Sequence, residues 1–155
     1  KDFLEKDFYK FHPGGSLGVR LRATVADVMI VGAKIPRVLS GTSAIKAIRE
    51  INIKNVGFVL VTSRNDKLLG ILTDGDVRRL VSRGVSFTDR TVDDLMTGNP
   101  KTIDEKASLA QTVERMQKDE IMALAVVNGK NEVKGYLHMH DILGRGGSIN
   151  ISINT

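Results

Sequence analysis

The chain sorts into short apolar runs divided by polar punctuation. Phe58–Thr62 is an unbroken β-rich run, which predicts a buried strand. Asn65-Asp66-Lys67 carries turn chemistry and Leu68–Thr73 returns as a second strand, so the two form a hairpin. Upstream, residues 27–29 fit a short helical or turn entry, and residues 36–39 fit an extended stretch. Ser43 offers an N-cap, after which Ile45, Ile48 and Ile51 recur at helical spacing. Downstream, Asp76-Val77-Arg78-Arg79-Leu80-Val81 opens a helix that Gly84 ends as a favourable C′ residue.

The same order then repeats. Thr24-Val25-Ala26-Asp27-Val28-Met29 returns as Thr91-Val92-Asp93-Asp94-Leu95-Met96, an offset of 67. Phe58-Val59-Leu60-Val61 answers to Leu124-Ala125-Val126-Val127 at 66, and Gly70-Ile71-Leu72-Thr73 to Gly135-Tyr136-Leu137-His138 at 65. Leu109, Val113 and Met116 repeat the helical stripe, and Asn128-Gly129-Lys130-Asn131 supplies the matching turn before Val133–His138. Three ordered blocks at nearly one period mark a tandem duplication of an α/β (α+β) unit, β-α-β-β-α twice. One unit of this size buries too little surface to be comfortable by itself, which explains why two copies come together.

Composition narrows the classes. A chain of 155 residues with 41% hydrophobic content can build a core, and no apolar run approaches the ~20 residues of a membrane-spanning helix, so a soluble protein is expected. The lack of Cys rules out disulfides, a Cys-based zinc site and a thiol nucleophile, and is compatible with a cytoplasmic location. Lys1 stands where a start Met would be and no signal-peptide pattern follows, so the chain is expected to be cut from a longer one. The net charge of +5 favours anionic partners. The cations are scattered apart from Arg20/Arg22 and Arg78/Arg79/Arg83, there is no Trp, and aromatics are 5%, which argues against nucleic acid as the partner.

Opening with Thr-Val-x-Asp-hydrophobic-Met and closing with Gly-hydrophobic-hydrophobic-Thr-x-x-Asp-hydrophobic, the duplicated unit resembles a pair of CBS domains. The resemblance covers residues 23–145 and implies two β-α-β-β-α repeats packed as a pseudo-two-fold pair. It divides the chain into CBS domain 1 at 23–84, a linker at 85–90, CBS domain 2 at 91–145 and a C-terminal tail at 146–155. That tail alternates Ile with Ser or Asn and either adds a strand or is disordered. CBS pairs are regulatory modules that bind nucleotides, and commonly pair into homodimers.

Thr73-x-x-Asp76 falls where a strand runs into a helix. There a carboxylate can accept from a ribose diol and a hydroxyl adds a second polar contact; equally, the two residues can simply cap the helix. In the resembled family these positions hold the ribose. The second copy keeps the carboxylate as Asp141 but replaces the hydroxyl with His138. His138 and His140 also have the i, i+2 spacing of metal ligands, but no further His or Cys completes a set, so no metal is expected. Arg78 and Arg79 either pair with a ligand phosphate or carboxylate or form a solvated helix face. The family resemblance implies that Met29, Val56, Gly57, Met96, Met122 and Ala123 line a base pocket; as apolar residues they also read as core.

Residues 11–21, beginning Phe11-His12-Pro13-Gly14-Gly15-Ser16-Leu17-Gly18, read physically as a Gly-rich linker without a phosphate-loop ending. Followed at once by a CBS pair, this His-Pro-Gly-Gly-x-Leu-Gly stretch resembles bacterial D-arabinose 5-phosphate isomerases of the KpsF/GutQ type. There a sugar isomerase (SIS) domain interconverts ribulose 5-phosphate and arabinose 5-phosphate for Kdo, lipopolysaccharide or capsule synthesis. The resemblance makes residues 1–22 the end of that domain and its linker, and His12 a candidate acid/base of the full-length enzyme, itself expected to be a homotetramer. The fragment is expected to be catalytically inactive. The resemblance implies that it needs no cofactor and would bind a regulatory nucleotide or nucleotide-sugar, CMP-Kdo first and AMP or ATP second; a third reading is a ligand-free dimerisation module.

Overall fold

The computed structural model describes residues 22–143, so His12 and the tail at 146–155 lie outside the described residues. In chain order the first elements are α1 (Val25–Val28), a single 3-10 turn (Gly32–Lys34), β1 (Arg37–Leu39), α2 (Ala44–Lys54), β2 (Phe58–Thr62), β3 (Leu68–Thr73) and α3 (Asp74–Ser82). Then follow α4 (Val92–Leu95), β4 (Thr97–Gly98), β5 (Thr102–Asp104), α5 (Leu109–Lys118), β6 (Ala123–Val127), β7 (Val133–His138) and α6 (Met139–Leu143). Mixed α/β structure and two hairpins agree with the reading of the sequence.

The chain forms two compact units, and neither is one sequence copy. One gathers residues 31–101 with 129–133; the other gathers the remaining described residues. In the first, the sheet order is β1-β2-β3-β4, with β1 parallel to β2 (Val38 beside Val61) and β2 antiparallel to β3. Its core joins Ala44, Ala47 and Ile51 of α2 to Val59, Val61 and Leu72 of the sheet, and is closed by Val92 and Leu95 from the second copy's opening segment. The second unit has the order β5-β6-β7 and a core of Leu109, Val113, Met116, Leu124, Val126 and Leu137, closed by Val25 from the first copy's opening segment. Each copy therefore completes the other's core.

Backbone hydrogen bonds fasten the exchange symmetrically. Val92 N–H donates to Thr42 O at 2.7 Å and Ala44 N–H to Arg90 O at 2.9 Å; in the other unit Val25 N–H donates to Ala107 O at 2.9 Å and Leu109 N–H to Ala23 O at 3.0 Å. The recurring Thr-Val-x-Asp-hydrophobic-Met pattern has a local physical cause. Its Thr and Asp cap a one-turn helix reciprocally, with Thr24 N–H donating to Asp27 Oδ2 and Thr91 N–H to Asp94 Oδ2, both at 2.9 Å. Its Val is the side chain that plugs the partner core.

Ser43 and Ser108 cap α2 and α5 through the amides of Lys46 and Gln111, each at 3.2 Å. Gly84, at φ +78°, follows α3 as expected, since a left-handed residue after a helix favours Gly. Ile45 is 42% exposed, and the buried stripe of α2 is Ala44, Ala47 and Ile51 with Ile48 packed beside it. A helix with Ile at 45, 48 and 51 can bury only an arc centred near one line, and the small Ala pair lets α2 approach the sheet. Val85 and Phe87, in the stretch read as a linker, pack on the same core.

The strand ladders also correct the internal alignment. Leu60 pairs beside Arg37 as Ala125 does beside Thr102, and Val61 beside Val38 as Val126 does beside Ile103. The offset is thus 65 across β2 and β6, and Phe58 corresponds to Ala123 rather than Leu124. In a run of interchangeable apolar residues, side-chain pattern leaves the register open and backbone pairing decides it. Among the described residues, no helix is long and apolar enough to cross a membrane.

Candidate functional site

The first unit's site is built at the turn from β3 into α3. Thr73 is the last residue of β3, paired with Phe58, and also the N-cap of α3. Its Oγ1 accepts from Asp76 N–H, and Asp76 Oδ2 accepts from Thr73 N–H, both at 3.1 Å. This reciprocal box fixes a carboxylate at the helix start, where the positive end of the helix dipole favours it. Asp76 Oδ1 accepts from Arg79 Nη2 at 2.7 Å. Both oxygens of Asp76 are thus held.

Opposite this turn, Asp74 N–H donates to Gly57 O at 2.9 Å, tying the entrance of β2 to the start of α3. Gly57 has φ +92°, a conformation in which an L side chain is strained, so this position stays bare beside Asp74. Both guanidinium groups reach Gly75: a Cβ there would stand in ordinary contact with them, 3.4 Å from Arg79 Nη1 and 3.8 Å from Arg78 Nη2. Thr73, Asp76, Arg78 and Arg79 therefore gather at one turn, with Gly57 bonded to it through Asp74 and half-buried Val56 adjoining Gly57 in the chain. Asp74 and Gly75, which the sequence reading passed over, belong to the same turn; their position inside the Thr-x-x-Asp spacing was the available signal. Met96 lies elsewhere, across Gly70 and against the core.

The other unit repeats the backbone and changes the chemistry. Met139 N–H donates to Met122 O at 2.8 Å, the counterpart of Asp74 to Gly57. Met122, an exposed side chain, thus stands where the first copy has Gly57, with half-buried Ala123 after it, and the buried Met139 stands where it has Asp74. Met29 crosses Gly135 as Met96 crosses Gly70. His138 Nδ1 accepts from His140 N–H at 3.2 Å, so a neutral imidazole takes over part of the capping work of Thr73. Burial pushes the His138 pKa down; Asp141 opposes this and His140 reinforces it. Against the first copy's small, polar turn, this one is larger, more apolar and flanked by two imidazoles. Among the described residues no group of three or more His, Asp or Glu is placed to hold a metal ion.

The CBS domain family matches residues 25–83 and 92–146, and the chain belongs to that family. Over 146 residues it is 41% identical to the arabinose 5-phosphate isomerase KdsD of Pseudomonas aeruginosa, which covers 94% of this chain and 45% of that protein. The chain thus spans less than half the length of this curated relative. Among solved structures, the CBS-pair protein CBSX2 of Arabidopsis thaliana matches with a TM-score of 0.68 and 22% identity, over 85% of this chain and 98% of that one. The CBS pair of MJ0100, solved with 5-methylthioadenosine and S-adenosyl-L-methionine, matches with a TM-score of 0.69 and 22% identity, over 81% and 97%. At this identity the two structures establish the fold.

Proposed function

We propose that this chain is the regulatory, nucleotide-binding CBS pair of a cytoplasmic arabinose 5-phosphate isomerase. The identity to KdsD over nearly the whole chain supports the parent activity. In the full-length enzyme His12 would serve as an acid/base, and this fragment by itself would be inactive. The single observation that carries the binding role is the Thr73–Asp76 turn, where a fixed carboxylate and two guanidinium groups adjoin. A sugar diol would bond Asp76 and Thr73, and a phosphate or carboxylate would bond Arg78 and Arg79. The ligand read from this pairing is CMP-Kdo, a nucleotide-sugar with a diol, a phosphate and a carboxylate, acting as a feedback signal.

An adenine nucleotide is the second reading, favoured by CBSX2, whose complex with AMP is known, and by the adenosine derivatives held by MJ0100. The base would lie against residues such as Val56 and Gly57 in the first copy, or Met122 and Ala123 beside His138 and Asp141 in the second. Thermal-shift measurements with CMP-Kdo, AMP and ATP separate the readings. A shift with none of them would leave a ligand-free dimerisation module. Exposed Ile45 and Val81 further support pairing of this fragment into a homodimer.

A further inference from the structure

Resting on that nucleotide reading, one contact decides which ligands the Thr73–Asp76 turn accepts. Asp76 is the acceptor a sugar diol needs, yet each of its oxygens already has a donor. The bond from Oδ2 to Thr73 N–H belongs to the fold of the turn. The bond from Oδ1 to Arg79 joins a side chain only 21% exposed to one 63% exposed, so the guanidinium is the movable partner. Ion pairs with such an exposed member are weak and exchange readily.

We infer that Arg79 is a specificity residue that selects anionic ligands over neutral ones. A diol reaches Oδ1 in competition with the guanidinium. A neutral nucleoside then gains two hydroxyl bonds but strips Arg79 of its carboxylate and returns nothing. A ligand with a phosphate or carboxylate hands Arg79 a replacement anion, so one charge-assisted bond is exchanged for another. Arg78, whose guanidinium reaches the same turn at Gly75, adds to the attraction for that anion. The selection belongs to the first copy, because the positions 65 residues on from Arg78 and Arg79 are Leu143 and Gly144.

The test is calorimetric titration of AMP and adenosine, and of CMP and cytidine, into the wild-type chain and Arg79→Ala at one low ionic strength. The wild type binds each nucleotide more tightly than its nucleoside by about tenfold or more. Arg79→Ala weakens the nucleotides by about tenfold and leaves the nucleosides unchanged or tighter, so the preference collapses. Arg79 is exposed, and an unchanged urea midpoint confirms that the variant is folded. Nucleotide binding with an undiminished preference in Arg79→Ala, or an equal loss for nucleotide and nucleoside, overturns the exchange while the nucleotide reading stands. Silence from all four compounds, and from CMP-Kdo and ATP as well, in the wild type overturns both.

Discussion

Met96 lies across Gly70 so closely that a Cβ on Gly70 would meet Met96 Cγ at 2.8 Å and the Thr97 carbonyl oxygen at 2.9 Å. The second copy repeats the arrangement, with Met29 Cγ 3.0 Å from a Cβ on Gly135. The glycine and methionine of the two sequence signatures are thus halves of one contact, made between a sheet and the opening segment of the other copy. Gly70→Ala should destabilise by about 1–3 kcal/mol through overpacking, read as a lower urea midpoint at unchanged slope. Adding Met96→Ala should recover only part of the stability, because the backbone oxygen of Thr97 stays in place. Full tolerance of Gly70→Ala would show that the segment yields.

The plugs themselves are fully buried, Val25 in one core and Val92 in the other. Val92→Ala and Val25→Ala should each lower stability by about 1–3 kcal/mol, the transfer loss of two methyl groups plus the cavity left behind. An exposed change such as Ile53→Ala, at a residue 70% exposed, should stay within about 0.5 kcal/mol. Urea melts of the three variants compare them directly.

Stability should depend on pH through two groups. Burial holds His138 below the usual imidazole value of 6.5, so the folded chain binds this proton less readily than the unfolded one. Its contribution is complete above about pH 6.5 and is lost as pH falls from there through the folded value. The Ser40 hydroxyl, opposed by partial burial and aided by the Gly41 amide, holds the Asp93 carboxyl below 3.8. That contribution is present above about pH 3.8 and disappears as pH drops further. Urea midpoints should therefore fall in two steps. His138→Gln should flatten the upper step and Asp93→Asn the lower, and a wild-type midpoint constant between about pH 5 and 7 would contradict the His138 assignment.

Asp76→Ala should weaken nucleotide binding by roughly ten- to a hundredfold, the loss of charge-assisted acceptors. It removes half of a capping box as well, at a folding cost of ~1 kcal/mol that a melt will register separately. Asp141→Ala should cost less affinity, since Met122 and Met139 replace the small and polar positions of the first turn. Calorimetry showing the reverse order would move the working site to the second copy.

Replacing Ile45 and Val81 together by Glu should convert the proposed homodimer into a monomer, read by sedimentation velocity at tens of micromolar. A wild-type chain that sediments as a monomer there would remove the dimer.

Local rules made much of this legible. Ser43 and Gly84 were visible as a helix start and a helix stop because capping depends on neighbours in sequence. Phe58–Thr62 was visible as a buried strand because its pattern has no polar gap. The correspondence of Gly57 with Met122 was not, since any register of Leu, Ala and Val looks equally apolar. The exchanged plugs were hidden for a related reason: Val25 and Val92 read as core residues whichever sheet receives them. At the site, the Thr73–Asp76 spacing was readable, while the capture of Asp76 by Arg79 needs the rotamers of a folded helix.

The exchange of Val25 and Val92 bears on the order in which such a chain can finish folding. As it leaves the ribosome, the sheet around Leu72 waits with an open socket until residues 91–98 follow, whereas the later sheet finds its plug already made. A piece ending at residue 84 keeps Ala44, Val59 and Leu72 but lacks the Val92 and Leu95 that cover them. Such a piece could close that hole only with a segment from a second chain. Within one polypeptide that dependence falls between neighbours, so neither copy has a closed core without the other.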